Sequence, residues 1–195
     1  MTFINTRSNA IALNGKSYTV TPSYRRVLQV FEVCRDKLLS ELDKAIICCD
    51  LLVKEEVDIK YCIDVFNTVY EHYIALPQSR GGSSEKIVDF NEDCDYIYAG
   101  FMQAYNIDLM KVADTLSWYE FIALFRGLPD NTRIKEIMSI RARKLPAPNK
   151  HNAEEIRNLL ELKQCYALKG TDDNNNNFDS GIAGLFSILK ERAVK

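Results

Sequence analysis

Apolar residues recur at three- and four-residue intervals in one segment of this chain after another, with turn-forming residues between the segments. That interval lines up one face of a helix, whereas a half-buried strand alternates every second residue. Val27, Val30, Phe31 and Cys34 form the first stripe, and Leu42, Ala45, Ile46, Cys49 and Leu52 the second. Ile59, Cys62, Ile63, Phe66, Val69, Tyr70 and Tyr73 form a third, wide and aromatic enough to touch more than one neighbour. Phe90, Cys94, Ile97, Tyr98, Phe101 and Tyr105 repeat the pattern, as do Ile156, Leu159, Leu160 and Ala167. The expected fold is mainly α: a helical bundle of about seven to eight helices with a small N-terminal β-hairpin.

The hairpin is expected over 11–20, around Asn14-Gly15, because a type I′ turn needs positive φ at both central residues. Helix starts are expected at Thr21, with Pro22 in the first helical position, and at Ser40, with Asp43 in the capping-box place. Others are expected at Asp58, at Asp89, at Asp130 or Asn131 for a helix reaching Lys144, and at Asn152 with Glu155. Asn106 suits a left-handed helix end, Gly127 and Pro129 stop a helix over 116–125, and Gly170 stops the helix after Asn152.

These signals divide the chain into a hairpin-plus-three-helix half (1–76), a Pro/Gly/Ser linker (77–88) and a helical half (89–170). An Asn-rich tether (171–181) and an amphipathic tail helix (182–195) follow. A lone helix of ~12 residues is marginal in water, so the tail needs a surface to dock on, its own or a partner's.

With 195 residues the chain can bury a core without staples. A net charge of −2 argues against an electrostatic grip on nucleic acid along the whole chain. No apolar run approaches the ~18 residues of a membrane helix, and the first residues lack an apolar signal core, so neither a membrane span nor secretion is expected. The six cysteines contain no Cys-x-x-Cys pair and there are two histidines, which favours reduced, buried thiols over a metal site. The 172–183 stretch imitates a calcium loop but has Asn177 and Ala183 where Gly and Glu are required. The 80–84 stretch lacks the Lys and the preceding strand of a phosphate loop. His72 and His151 have no partner pattern, so neither an enzyme nor a cofactor is expected.

Two constellations remain. Arg133, Lys135, Arg141, Arg143 and Lys144 make one helix basic, with Glu136 its one acid. Arg141 lies in line with Ile134, Met138 and Leu145 on the apolar side, so it needs a carboxylate, Glu120 or Asp93. Trp118, Tyr119, Phe121, Ile122 and Phe125 surround a short helix, which implies central burial or a recognition surface.

Several of these residues carry a resemblance: Phe90 with Asp93, 97–101, Ile107-Asp108-Leu109, Trp118 with Phe121, Gly127-Leu128-Pro129 followed by Thr132, and Ile140-Arg141. Weaker matches are Tyr24-Arg25, 36–39 and 163–168. Over residues 10–168 the chain resembles the siphophage tail assembly chaperones of Gram-positive-infecting phages, small helical proteins encoded beside the tape-measure gene. That family favours Gly where this chain has Asn106. The resemblance implies a non-enzymatic role in the infected host's cytoplasm. There such proteins coat the tape-measure protein in many copies, help recruit tail-tube subunits and stay out of the finished virion. Helix-in-groove contact suits a long amphipathic client, with the contact expected at Trp118 and Phe121 and on the tail at Leu185, Phe186 and Leu189. The competing readings are a nucleic-acid-binding regulator using Arg133, Arg141 and Lys144, and a structural tail component.

Overall fold

The computed structural model describes residues 8–75, 87–149 and 151–169. These fall into two compact units: 8–75 with 110–123, and 87–109 with 124–149 and 151–169. Among the described residues the protein is mainly helical, with seven α-helices and one two-stranded antiparallel hairpin.

In the first unit, β1 (Ala10–Leu13) pairs with β2 (Lys16–Thr19), Ala10 opposite Thr19 and Leu13 opposite Lys16. Asn14 (φ 52°) and Gly15 (φ 74°) both lie in the left-handed region that the two-residue turn demands. The register buries Ile11 and Tyr18 on one face. The chain stays extended past β2: Thr21 N–H donates to Leu52 O at 2.7 Å, and Lys54 N–H to Thr19 O at 3.0 Å.

That extension corrects the expected helix start. Helix α1 (Tyr24–Arg35) begins two residues after Pro22, with Ser23 as N-cap accepting from Arg26 N–H. The Thr21 N–H is already taken by Leu52 O, and Pro22 O accepts from Trp118 N–H at 2.8 Å, so residues 21–22 are held outside the helix. Helix α2 (Glu41–Leu52) starts where expected, with Ser40 Oγ accepting from Asp43 N–H at 3.2 Å. Its buried face is Ala45, Cys48, Cys49 and Leu52, while Leu42 points outward. Helix α3 (Cys62–Val69) is entered by a 3-10 turn (Ile59–Tyr61) that leaves Ile59 exposed, and a π-helical turn (Tyr70–Ile74) ends it. The helices pack α1 on α2 and α2 on α3, around Val27, Val30, Cys48, Val65 and Val69.

In the second unit, Asp89 caps a turn rather than the helix itself: its carboxylate accepts from Asn91 N–H and Glu92 N–H at 2.8 and 3.1 Å. Helix α4 (Cys94–Tyr105) follows and ends on Asn106, at φ 52°, ψ 35°. It packs on α6 (Arg133–Ala142) at Gly100, where a Cβ would lie 3.4 Å from side-chain atoms of Ile134 and Leu128. Helix α6 is shorter at both ends than expected. Thr132 is its extended N-cap, with Oγ1 donating to Pro129 O at 2.8 Å, and Arg143 is already extended ahead of Pro146. Helix α7 (Ala153–Cys165) starts at Asn152 without the expected capping box. The Asn152 side chain instead closes the preceding loop, accepting from Asn149 N–H at 2.7 Å and donating to Ala147 O at 2.9 Å.

Two consecutive halves are therefore not what forms. Residues 110–123, including the first turns of α5 (Trp118–Arg126), join the first unit, and the division falls inside α5. The cause is packing: Trp118 N–H bonds to Pro22 O, and Tyr24 N–H to Leu116 O at 3.0 Å. Arg25 forms an ion pair with Asp114. Most of the 77–88 linker, the 171–181 tether and the 182–195 tail helix lie outside the described residues.

Candidate partner-binding surfaces

Helix α5 is apolar nearly all round, and the fold buries it. Trp118 and Phe121 are each 1% exposed, and Ile122 and Phe125 are also buried. Trp118 Nε1–H donates to Ile74 O at 3.0 Å, and its ring meets the edge of Phe31 at 5.5 Å. Phe121 stacks between Trp118 (5.7 Å) and Tyr24 (4.8 Å). The indole thus buries its surface and satisfies its one donor. Trp118 and Phe121 are core, which corrects their expected place on a contact surface: a short helix with apolar side chains on every side lowers its free energy most by central burial. On α5, Tyr119 alone among the large apolar side chains is exposed. Leu185, Phe186 and Leu189 lie outside the described residues.

Arg141 meets Asp93. Nη1 and Nη2 donate to the two carboxylate oxygens at 2.6 and 2.8 Å, Nε donates to Tyr166 O at 2.6 Å, and Nη1 also reaches Ile87 O at 3.1 Å. The Arg141 and Asp93 side chains are 10% and 2% exposed. Asp93 Oδ2 accepts from Asp89 N–H as well, and Lys163 Nζ donates to Arg141 O. Such a pair, buried and saturated with hydrogen bonds, is a structural tie among the start of α4, the end of α6 and the chain around α7. Glu120, the other candidate, is engaged elsewhere: Oε2 accepts from Ser117 N–H and Oγ–H at 3.0 and 2.7 Å, while Ser117 Oγ accepts from Glu120 N–H at 3.3 Å. This is a capping box at the start of α5, and the Ser-x-x-Glu spacing was the signal for it.

The basic helix spends several of its cations internally. Arg133 pairs with Glu136 at 2.6 Å and donates to the Tyr166 hydroxyl, and Lys135 donates to Arg126 O at 3.1 Å. With Arg141 buried, Arg143 and Lys144 at the end of α6 stand exposed.

The apolar side chains left outside are the ones available to a partner. In the second unit, Tyr98 and Met102, 36% and 37% exposed, stand one turn apart on a single face of α4. In the first, Leu38 is 95% exposed in the turn between α1 and α2, and Leu42 is exposed on the first turn of α2. A cavity of about 540 Å³ also runs along β1, lined by Ser8, Ala10, Ala12, Thr68, His72 and Tyr73. The Tyr73 hydroxyl bridges to Ser8 O and Ala10 O at 2.6 and 3.3 Å, and His72 Nδ1–H donates to Thr68 O at 2.8 Å. Among the described residues no group of three His, Cys, Asp or Glu side chains is placed to hold a metal ion, and no helix is long and apolar enough to cross a membrane.

A family model described as Bacteriophage Gp15 protein matches residues 5–168. The match spans both units and stops before the 171–181 tract. No curated protein and no solved structure matches the chain.

Proposed function

Because the chain belongs to the Bacteriophage Gp15 protein family, we propose that it is a tail assembly chaperone of a Gram-positive-infecting siphophage. In this role it binds and solubilises the tape-measure protein and helps recruit tail-tube subunits. It acts without catalysis or cofactor, in the host cytoplasm, and leaves before the virion is complete. The observation that carries the proposal is the family match over 5–168, the same span whose Phe90, Asp93, Trp118, Gly127-Leu128-Pro129 and Arg141 resemble the chaperones.

A long amphipathic client needs temporary apolar partners, and many weak copies supply them better than one tight one. Tyr98 and Met102 on α4, with Leu38 and Leu42 beside the α1–α2 turn, offer exposed apolar side chains for that purpose. Trp118 and Phe121 contribute by holding the first unit together. The tail residues Leu185, Phe186 and Leu189 add a second contact in this proposal.

The test is co-expression with the tape-measure protein of the same genome, followed by pull-down from the soluble fraction. A soluble complex with several copies per client is expected, and truncation after Lys169 is expected to weaken it. An insoluble client beside free chaperone overturns the proposal. Steep salt-dependent binding to DNA or RNA would instead favour a regulator. The internal engagement of Arg133, Lys135 and Arg141 weighs against that. Recovery of the chain in purified particles would favour a structural component.

A further inference from the structure

Among the described residues, helix α4 is covered on one side only. Ile97, Gly100 and Phe101 are buried, whereas Asp95, Tyr98, Ala99, Met102 and Gln103 are exposed. Those five positions follow the three- and four-residue rows of a helix, so they make one continuous outer face. The face is polarised along its length. Tyr98 and Met102 supply its large apolar side chains, while Asp95, with Glu92 in the turn before it, makes its start acidic. The 89–110 sequence contains no lysine or arginine. Neither Glu92 nor Asp95 has an ion pair among the described residues.

The described chain ends beside this face. Lys169, its last residue, donates its N–H to Glu92 Oε2 at 2.9 Å. The sequence that follows is complementary to α4 in length, in apolar pattern and in charge. A polar tether over 170–181 reaches at most ~40 Å and averages ~19 Å, against ~18 Å for the length of α4. Ile182, Leu185, Phe186 and Leu189 then repeat at helical spacing. Lys190, Arg192 and Lys195, against Glu191 alone, give the end of that stretch the charge opposite to the start of α4.

We propose that the outer face of α4 is the docking site of this chain's own 182–195 segment. The segment lies antiparallel along Tyr98 and Met102, with Lys190, Arg192 and Lys195 brought to Glu92 and Asp95. The antiparallel sense follows from the charges, and it also sets the C-terminal end of one helix dipole beside the N-terminal end of the other. It requires the tether to run the length of α4 once, which its span matches. A tether of matched span holds the segment at a roughly millimolar effective concentration, so the same chain's tail wins over that of another copy. The face in turn supplies the apolar surface that a lone helix of ~12 residues lacks in water. The docking does not depend on the proposed function, but its consequence rests on that reading: a client that takes Tyr98 and Met102 frees Leu185, Phe186 and Leu189 for the second contact.

The experiment is zero-length carbodiimide cross-linking of the full-length protein without client, followed by peptide mass mapping. Nitrogen-15-labelled and unlabelled protein are mixed, so that links within one chain and between chains separate by mass. The exposed Lys60–Asp58 pair, 3.4 Å apart, serves as the internal control. The expected links join Lys190 or Lys195 to Glu92 or Asp95 within one chain. Serine at Leu185, Phe186 and Leu189 together is expected to abolish them and to leave the control link. Tail lysines joined chiefly to carboxylates elsewhere overturn the proposal, as do tail lysines left unlinked while the control pair reacts. Links between labelled and unlabelled chains overturn it in favour of a second copy as the occupant. The wild-type map decides the matter without any variant, and the client pull-down succeeds or fails independently of it.

Discussion

Arg141 closes on Asp93 through two parallel hydrogen bonds of 2.6 and 2.8 Å, at a point where the carboxylate is 2% exposed. Removing one member leaves the other charged, buried and unpaired, which costs about 3–5 kcal/mol. Arg141→Ala and Asp93→Ala are therefore expected to lose that much stability in urea denaturation. Arg141→Lys recovers little, because an ammonium cannot serve the carboxylate, Tyr166 O and Ile87 O together. Unmoved urea midpoints would show that the pair contributes nothing.

Trp118 is the chain's only tryptophan and is 1% exposed. Its fluorescence is expected to be blue-shifted, resistant to iodide quenching and unchanged when a client binds. Trp118→Ala opens a cavity beside Phe31 and Phe121 and strands Ile74 O, at a cost of about 3–5 kcal/mol. A quenchable emission that shifts on client binding would return Trp118 to the contact surface.

Asn106 ends α4 in the left-handed conformation at φ 52°. Asn106→Gly is expected to be neutral or slightly stabilising, because glycine carries no Cβ penalty there. Asn106→Ala is expected to cost about 1 kcal/mol. Thermal melts of the two variants check the order, and an alanine variant as stable as glycine would contradict the geometry.

Tyr98 and Met102 are 36% and 37% exposed on α4, so serine at each removes partly buried apolar area and is expected to cost about 1 kcal/mol without unfolding the unit. The same double variant is expected to lower the yield of soluble tape-measure protein on co-expression. Full client solubility with this variant would place the contact elsewhere.

Glu55 carries a pH dependence. The Thr19 hydroxyl and N–H donate to its carboxylate at 2.7 and 2.5 Å and hold it below the usual carboxylate range. A depressed folded-state value means that the stabilisation is present above the unfolded value and is lost as pH falls through the folded one. Glu55→Gln should flatten that part of the acid limb, and an NMR titration of Glu55 should show the lowered midpoint directly.

The sequence by itself determined what neighbouring residues can settle. The Asn14-Gly15 turn, the Ser40 cap and the left-handed Asn106 each rest on atoms a few residues apart, and helical spacing showed where the helices lie, although Leu42, Ile59 and Tyr98 of the expected stripes stand exposed. The Ser117–Glu120 capping box belongs to the same class, and its spacing was legible although Glu120 also looked like a partner for Arg141. Only the tertiary structure decided where α1 and α6 begin, which carboxylate Arg141 meets and on which side of the surface Trp118 falls. Pro22 O bonds a residue far along the chain, and Thr132 is buried beneath its own loop. Periodicity identifies an apolar helix but not how many of its sides are covered. Trp118 and Phe121 became core because Tyr24, Phe31 and Ile74 converge on them from elsewhere in the sequence, and burying that area outweighed leaving it open to a partner.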